Sequence, residues 1–186
     1  MATLAVGGTT VFDGATLQSG VILPAGSVVK THEVEMDSVA SSTTINSWTG
    51  LTGLTFPFTP NYDNSKIHGH FAISWGTSTF DTIVSWRIIR VVSGQSDVTL
   101  HEHGNSSGGA ATFRGQTHGL RAHHDSNGGN FTNLSFFDTP GTDSLVTYTL
   151  QFYRTQTGTT YINRNASDGT DYGRGSTVMS CMEIKV

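Results

Sequence analysis

Histidine is the residue type that first suggests chemistry in this chain: 8 occur beside only 10 Lys+Arg and 14 Asp+Glu in 186 residues. His68-x-His70 and His101-x-His103 each place two imidazoles at i, i+2, and in an extended strand that spacing sets both rings on one face. Around a threefold axis such pairs would offer several nitrogens to one transition-metal ion. The same spacing also describes a polar strand face turned to solvent, and His123-His124 lies in a stretch rich in Gly and Asn. No resident metal and no cofactor are expected.

Carboxylates point the same way. Hydrolysis of a polysaccharide needs two of them held a few ångströms apart in a groove. Here Asp13, Asp63, Asp125, Asp143, Asp168 and Asp171 stand in turn-like contexts, scattered along the chain. Serines and histidines occur without the sharp strand-to-helix context of a nucleophile elbow. The glycines punctuate apolar runs and precede no helical pattern, which excludes a phosphate-cradling loop. The expectation is a protein that binds and does not catalyse.

Bulk composition narrows what it would bind. The formal net charge is -4, and the lysines, Lys30, Lys66 and Lys185, lie far apart in sequence. No basic field exists to neutralise phosphates, so neither DNA nor RNA is an expected partner. The N-terminus has no Lys or Arg before Lys30 and no long apolar run, so neither a signal peptide nor a membrane span is expected there. The single cysteine, Cys181, sits in an alternating segment and reads as a buried, inert thiol.

Only 13% of residues are charged while 22 are Gly, and Ser, Thr and Asn supply the remaining polarity. That balance suits strands and turns. Strand-like runs cover Val28 to Met36, Thr43 to Thr49, Leu54 to Thr59, Lys66 to Trp75, Thr82 to Val92 and Val98 to His101. They resume over Phe131 to Phe137, Leu145 to Tyr153, Thr160 to Asn163 and Thr177 to Lys185. In the Lys66 run, Ile67, Phe71, Ile73 and Trp75 fall at period two and predict one buried face, with His68, His70 and Ser74 opposite. The intervening Gly104 to Asn130 reads as long loops around a short strand or two. The predicted architecture is all-β: an antiparallel two-sheet β-sandwich, jelly-roll-like, over residues 28-186.

Residues 1-27 read differently. Short apolar pairs, Leu4 with Val6, Val11 with Phe12, and Val21 with its neighbours, are split by Gly7-Gly8, Asp13-Gly14 and Pro24-Ala25-Gly26. Such a segment builds no core of its own. Either it adds edge strands to the sandwich, or it is an extended arm whose Leu4, Val6, Val11, Phe12, Leu17 and Val21 dock on another protein. The arm is the favoured reading.

Three ordered motifs then carry a resemblance. They are Asp138-Thr139-Pro140-Gly141-Thr142-Asp143-Ser144-Leu145-Val146-Thr147-Tyr148-Thr149-Leu150-Gln151-Phe152, then Gly158-Thr159-Thr160-Tyr161-Ile162-Asn163-Arg164, and then Gly175-Ser176-Thr177-Val178-Met179-Ser180-Cys181-Met182-Glu183-Ile184. Together with Trp48-Thr49-Gly50-Leu51 and Ser65-Lys66-Ile67 upstream, this span resembles a C-terminal module recurrent in virion proteins of tailed phages, cyanophages among them. By themselves the motifs read as turn and strand determinants. Asp138 to Thr142 is a turn signal, and Arg164 is positioned to bond a carboxylate such as Asp168, Asp171 or Glu183.

The resemblance implies a homotrimeric knob displayed outward from the particle, either a capsid decoration (cement) protein or the tip of a tail or head fibre. With only about 27 residues before the module, cement is the expectation. Its partners would be its own copies and the major capsid protein of the phage. Its place would be the outer surface of the capsid, after assembly in the host cytoplasm. The fibre-knob alternative would instead bind a host-surface glycan. Arg114, His118, Arg121, His123 and His124 would then form the receptor rim, a stretch that reads equally as a solvated loop set.

Overall fold

In the computed structural model, described residues are 3–6, 9–13, 16–17, 23–79, 83–102, 120–121, 129–154, 156–167 and 174–186. They hold fourteen strands: β1 (Thr3–Val6), β2 (Thr9–Asp13), β3 (Thr16–Leu17), β4 (Val28–Met36), β5 (Ala40–Ser42), β6 (Thr49–Phe58) and β7 (Lys66–Thr77). The rest are β8 (Ile83–Val92), β9 (Val98–Glu102), β10 (Leu120–Arg121), β11 (Asn130–Asp138), β12 (Val146–Arg154), β13 (Thr160–Ile162) and β14 (Thr177–Ile184). Every pairing among them is antiparallel.

Two sheets form a sandwich. One runs β4-β14-β7-β11, with β13 and β5 extending it where β14 ends; the other runs β6-β12-β8-β9, with β10 beside the start of β8. The chain changes sheet at β5 to β6, β6 to β7 and β7 to β8, and again on either side of β11 and β12. This is the jelly-roll arrangement, in which sequence neighbours face each other across the core. The expected all-β, two-sheet sandwich is what the chain forms.

Period-two alternation explains which side chains fill it. Ile67, Phe71, Ile73 and Trp75 of β7 meet Val84, Trp86 and Ile88 of β8 and Val146, Tyr148, Leu150 and Phe152 of β12, all fully buried. Trp75 meets Trp86 edge to face at 5.9 Å between centroids, a favoured aromatic geometry. Gly69 takes an inward position where a side chain is expected. Phe136 lies opposite it in register, and a Cβ on Gly69 would come within 2.2 Å of that ring. The missing side chain lets Phe136 lie flat and reach Tyr148 at 4.8 Å.

β7 is longer than any neighbour. β11 covers one edge from Ile67 to Trp75, while the other edge is shared by β14, up to Ala72, and β13, from Trp75. Ser74 falls at this changeover. Its N–H donates to Thr177 Oγ1 at 3.3 Å and its carbonyl accepts from the Asn163 N–H at 2.9 Å. Asn163 is fully buried at φ 62, a conformation that Asn adopts more readily than most residues. Its Nδ2 donates to the Met36 and Ser38 carbonyls at 2.6 and 3.0 Å, and its Oδ1 accepts from Thr177 Oγ1 at 2.8 Å.

Two sequence expectations need revision here. Thr43 to Trp48 is not a strand: the Thr44 N–H bonds back to Ser42 Oγ at 3.1 Å, Asn46 has φ 55, and the Asn46 N–H is held by the Arg154 carbonyl at 2.7 Å. β5 instead lies earlier and β6 begins at Thr49. Ser74, expected on the solvent face with His68 and His70, is buried, because Gly175 crosses directly over its hydroxyl. Within residues 1-27, β1, β2 and β3 form a three-stranded sheet by themselves, with Leu4 opposite Phe12 and Phe12 opposite Leu17. Val21 lies outside the described residues, and neither sheet of the sandwich takes β1, β2 or β3 as a neighbour.

Gly69→Ala should lower stability by about 1–3 kcal/mol, because it overpacks the Phe136 site. Denaturant unfolding checks it, and the cost should shrink in a Phe136→Leu background if the clash is the cause.

Candidate functional site

The outer face of the β4-β14-β7-β11 sheet is where the structure gathers side chains that fold stability does not require. Phe131 and Phe137 of β11 are 69% and 70% exposed, although large apolar groups gain by burial. Cross-strand register sets Phe137, His68, Met182 and Thr31 in one row spanning all four strands. The adjoining rows are Ser135, His70, Ser180 and Glu33, then Asn133, Ala72, Val178 and Glu35. The His68 imidazole stacks on the Phe137 ring at 4.4 Å, almost parallel at 12°.

Two open clefts border this face. One of about 410 Å³ is lined by Lys66, Phe137, Asp138 and Thr139, and the other of about 370 Å³ by residues of β4 and β14 around His32, Ser180 and Met182. Aromatic anchors among hydroxyls and amides, with Glu33 and Glu35 at the β4 side, have the chemistry of a protein-binding surface.

β11 is also a free edge. Among the described residues it bonds only to β7, through nine consecutive register pairs without a bulge. The other long edges are blunted. β4 carries a register break against β14 and turns Lys30 and His32 inward, where they meet the Phe58 and Phe56 rings. β6 has a break and Pro57, and β9 has a break. Bulges, inward charges and Pro are how natural sheets prevent pairing by another chain. β11 has none of these, and only Asp138 at its end is charged.

Asp138 holds that end of β11 to the opposite sheet. Its Oδ1 accepts from Arg90 Nη1 at 2.7 Å and from the Thr139 N–H at 2.8 Å, and its Oδ2 accepts from the Tyr148 hydroxyl at 3.0 Å. Arg90 and Asp138 side chains are 14% and 4% exposed, so one carboxylate bridges β11 to β8 and β12 in a largely dry setting. Burial first, then the Asp138 charge, pushes the Tyr148 phenol well above its ordinary value. The same two causes push the nearby Cys181 thiol up to about 12.

The candidates raised from sequence are distributed as follows. His68 and His70 do share the outer face of β7, half-buried and exposed respectively. His101 lies on β9 in the other sheet, opposite Ile88, so it is on a different sheet from His68 and His70, and His103 falls outside the described residues. Among the described residues no three His, Cys, Asp or Glu side chains are grouped to hold a metal. Arg114, His118, His123 and His124 lie outside the described residues, and Arg121 is known only as a backbone partner of Ile83 in β10.

Glu183 does not serve Arg164. Its Oε1 accepts from the Asn61 and Tyr62 N–H groups at 2.8 and 3.1 Å and from the Ser65 hydroxyl at 2.5 Å, while Arg164 lies over the Tyr161 ring at 4.0 Å. Asp168 and Asp171 lie outside the described residues.

The exposed aromatic face was missed in the sequence, although a signal existed: two adjacent phenylalanines in a period-two strand must turn one ring outward. The Arg90–Asp138 pair had no such signal, because its members are 48 residues apart.

No protein-family model and no curated protein matches the chain. Several solved structures are similar to it. The VP2 subviral particle of infectious bursal disease virus is 10% identical with a TM-score of 0.41, over 94% of this chain and 43% of that one. The Gx strain of infectious bursal disease virus gives 10% and 0.43, over 98% and 46%. Eiger TNF from S. frugiperda gives 11% and 0.33, over 78% and 91%. The chain spans less than half the length of those viral chains. The sandwich described above rests on this chain's own strand pairing.

Cys181 should resist Ellman's reagent at pH 8 in the native protein and react on unfolding in guanidinium. Both raised groups stabilise the fold fully below their ordinary values of about 8.5 for a thiol and 10 for a phenol. Denaturant midpoints should therefore hold steady to about pH 8 and fall as pH rises towards 12.

Proposed function

We propose that this chain is a structural protein of a tailed-phage particle, a homotrimeric decoration (cement) protein seated on the outer capsid surface and bridging neighbouring subunits of the major capsid protein. The observation that carries this reading is the outer sheet face with its exposed Phe131, Phe137 and Met182 beside the unblunted β11 edge. A monomer working alone has no physical reason to keep both in water. The resemblance of the Asp138, Asn163 and Cys181 motifs to the phage virion module supplies the setting.

In this reading the action is mechanical. Subunits held together by a bound trimer separate only after that binding free energy is lost. Three copies acting together, each with its residues 1–27 engaged, gain avidity through effective concentration. No step calls for a nucleophile, a metal or a cofactor.

A second reading is a fibre knob that binds a host-surface glycan, and one cluster favours it. On the outer face of the other sheet, the Arg87 guanidinium lies 4.6 Å over the Trp48 ring and its Nε donates to Gln151 Oε1 at 2.8 Å, with Tyr153 5.5 Å from Trp48. Half-buried aromatics flanked by planar donors suit the apolar face and hydroxyls of a sugar.

Copy number separates the two. In purified particles, gel densitometry should find this chain in amounts comparable with the major capsid protein; an abundance typical of tail components would exclude cement. Removing residues 1–27 should leave a folded trimer, by circular dichroism and ultracentrifugation, that no longer decorates shells. Decoration by the truncated protein would show that those residues are not the attachment.

A further inference from the structure

The end of the sandwich opposite Asp138 contains a cation with no counter-charge among the described residues. Arg154 continues the inward series Val146, Tyr148, Leu150, Phe152 and is fully buried. Its Nη2 donates to the Gly158 carbonyl. Its Nε and Nη1 have no partner, and no described carboxylate pairs with it. Arg90 at the other end has Asp138; among the described residues Arg154 has nothing equivalent.

The donors around it are unmatched as well. Arg154 is opposite Val84, and Trp86, one row along the same two strands and opposite Phe152, is fully buried with its indole N–H unpaired. In the facing sheet, Trp75 packs against Trp86, and β13 pairs with the end of β7 from Trp75 to Thr77. Thr160, at the end of that pairing, is fully buried with an unpaired hydroxyl. Buried polar groups in native proteins are almost always paired, by protein, water or ligand. Here guanidinium N–H groups, an indole N–H and a hydroxyl sit in one inter-sheet layer.

We propose that this layer binds a small inorganic anion of the halide class, held against Arg154 Nε and Nη1 with donors from Trp86 Nε1 and Thr160 Oγ1. A guanidinium and an indole can only donate, and the threonine hydroxyl is free to donate, so the set calls for an acceptor. A monatomic anion accepts from several directions at once. Its small size also suits the interior between sheets packed about 10 Å apart. Burial lowers the Arg154 pKa from its ordinary value, yet a guanidinium stays charged at neutral pH, and a bound halide removes the penalty of leaving it unpaired.

The test compares thermal unfolding of the full chain in sodium chloride and in sodium gluconate at matched ionic strength, gluconate being too large to enter. Chloride should raise Tm by about 3–5 °C for each tenfold increase above its dissociation constant. Arg154→Met, which keeps the packing volume and removes the charge, should abolish that dependence. Equal Tm in the two salts, or a chloride effect that persists in Arg154→Met, overturns the proposal. Should that variant fail to fold, crystals of the unaltered protein soaked in bromide decide. An anomalous peak within hydrogen-bonding reach of Arg154 supports the site, and its absence overturns it.

Discussion

β7 has more edge than any single neighbour covers, and the way that edge is shared governs the rest of the sandwich. β11 takes one side, while β14 and β13 divide the other and meet at Ser74. A changeover of partners inside a buried sheet leaves backbone donors and acceptors that must still be paired. Asn163 and Thr177 supply the missing bonds, and Asn163 also holds the end of β4 through Met36 and Ser38. A buried amide in the left-handed region thereby ties the ends of β4, β13 and β14 to the changeover point of β7.

The aromatic core gives most of the driving force, since apolar area removed from water dominates folding. Buried polar groups give it geometry. The Arg90–Asp138–Tyr148 cluster spans both sheets at one end, where the cost of desolvating the ions offsets much of their attraction. Its value lies in direction: Asp138 satisfies three donors only when β11, β8 and β12 keep one register. Glu183 does comparable work by capping the loop at Asn61, Tyr62 and Ser65. In a chain with so few charges, three of those described, Asp138, Arg154 and Glu183, are buried in the fold.

The two outer surfaces differ. The outer face centred on β7 carries hydroxyls, amides, aromatics and imidazoles, with Glu33 and Glu35 on its β4 side, and its edge at β11 is left regular while the others are broken or turned inward. A reading as an assembly surface follows from this asymmetry, and the resemblance to phage virion modules gives it a setting. The opposite face, around Trp48 and Arg87, is built differently and suits a different kind of ligand.

Local pattern determined much of the architecture. Period-two alternation located β4 from Val28 to Met36, identified the buried faces of β7 and β12, and placed Cys181 inside, because the pleat fixes which side of a strand each residue faces. Pairing decided the remainder. The loop at Thr43 to Trp48, the burial of Ser74 under Gly175, the service of Asp138 to Arg90 and the free outer edge of β11 among the described residues all depend on which distant segments become neighbours. The residues of the outer face were present in the sequence as strand residues. Only the topology, by setting β11 at an edge and aligning Phe137, His68 and Met182 across three strands, made them a surface.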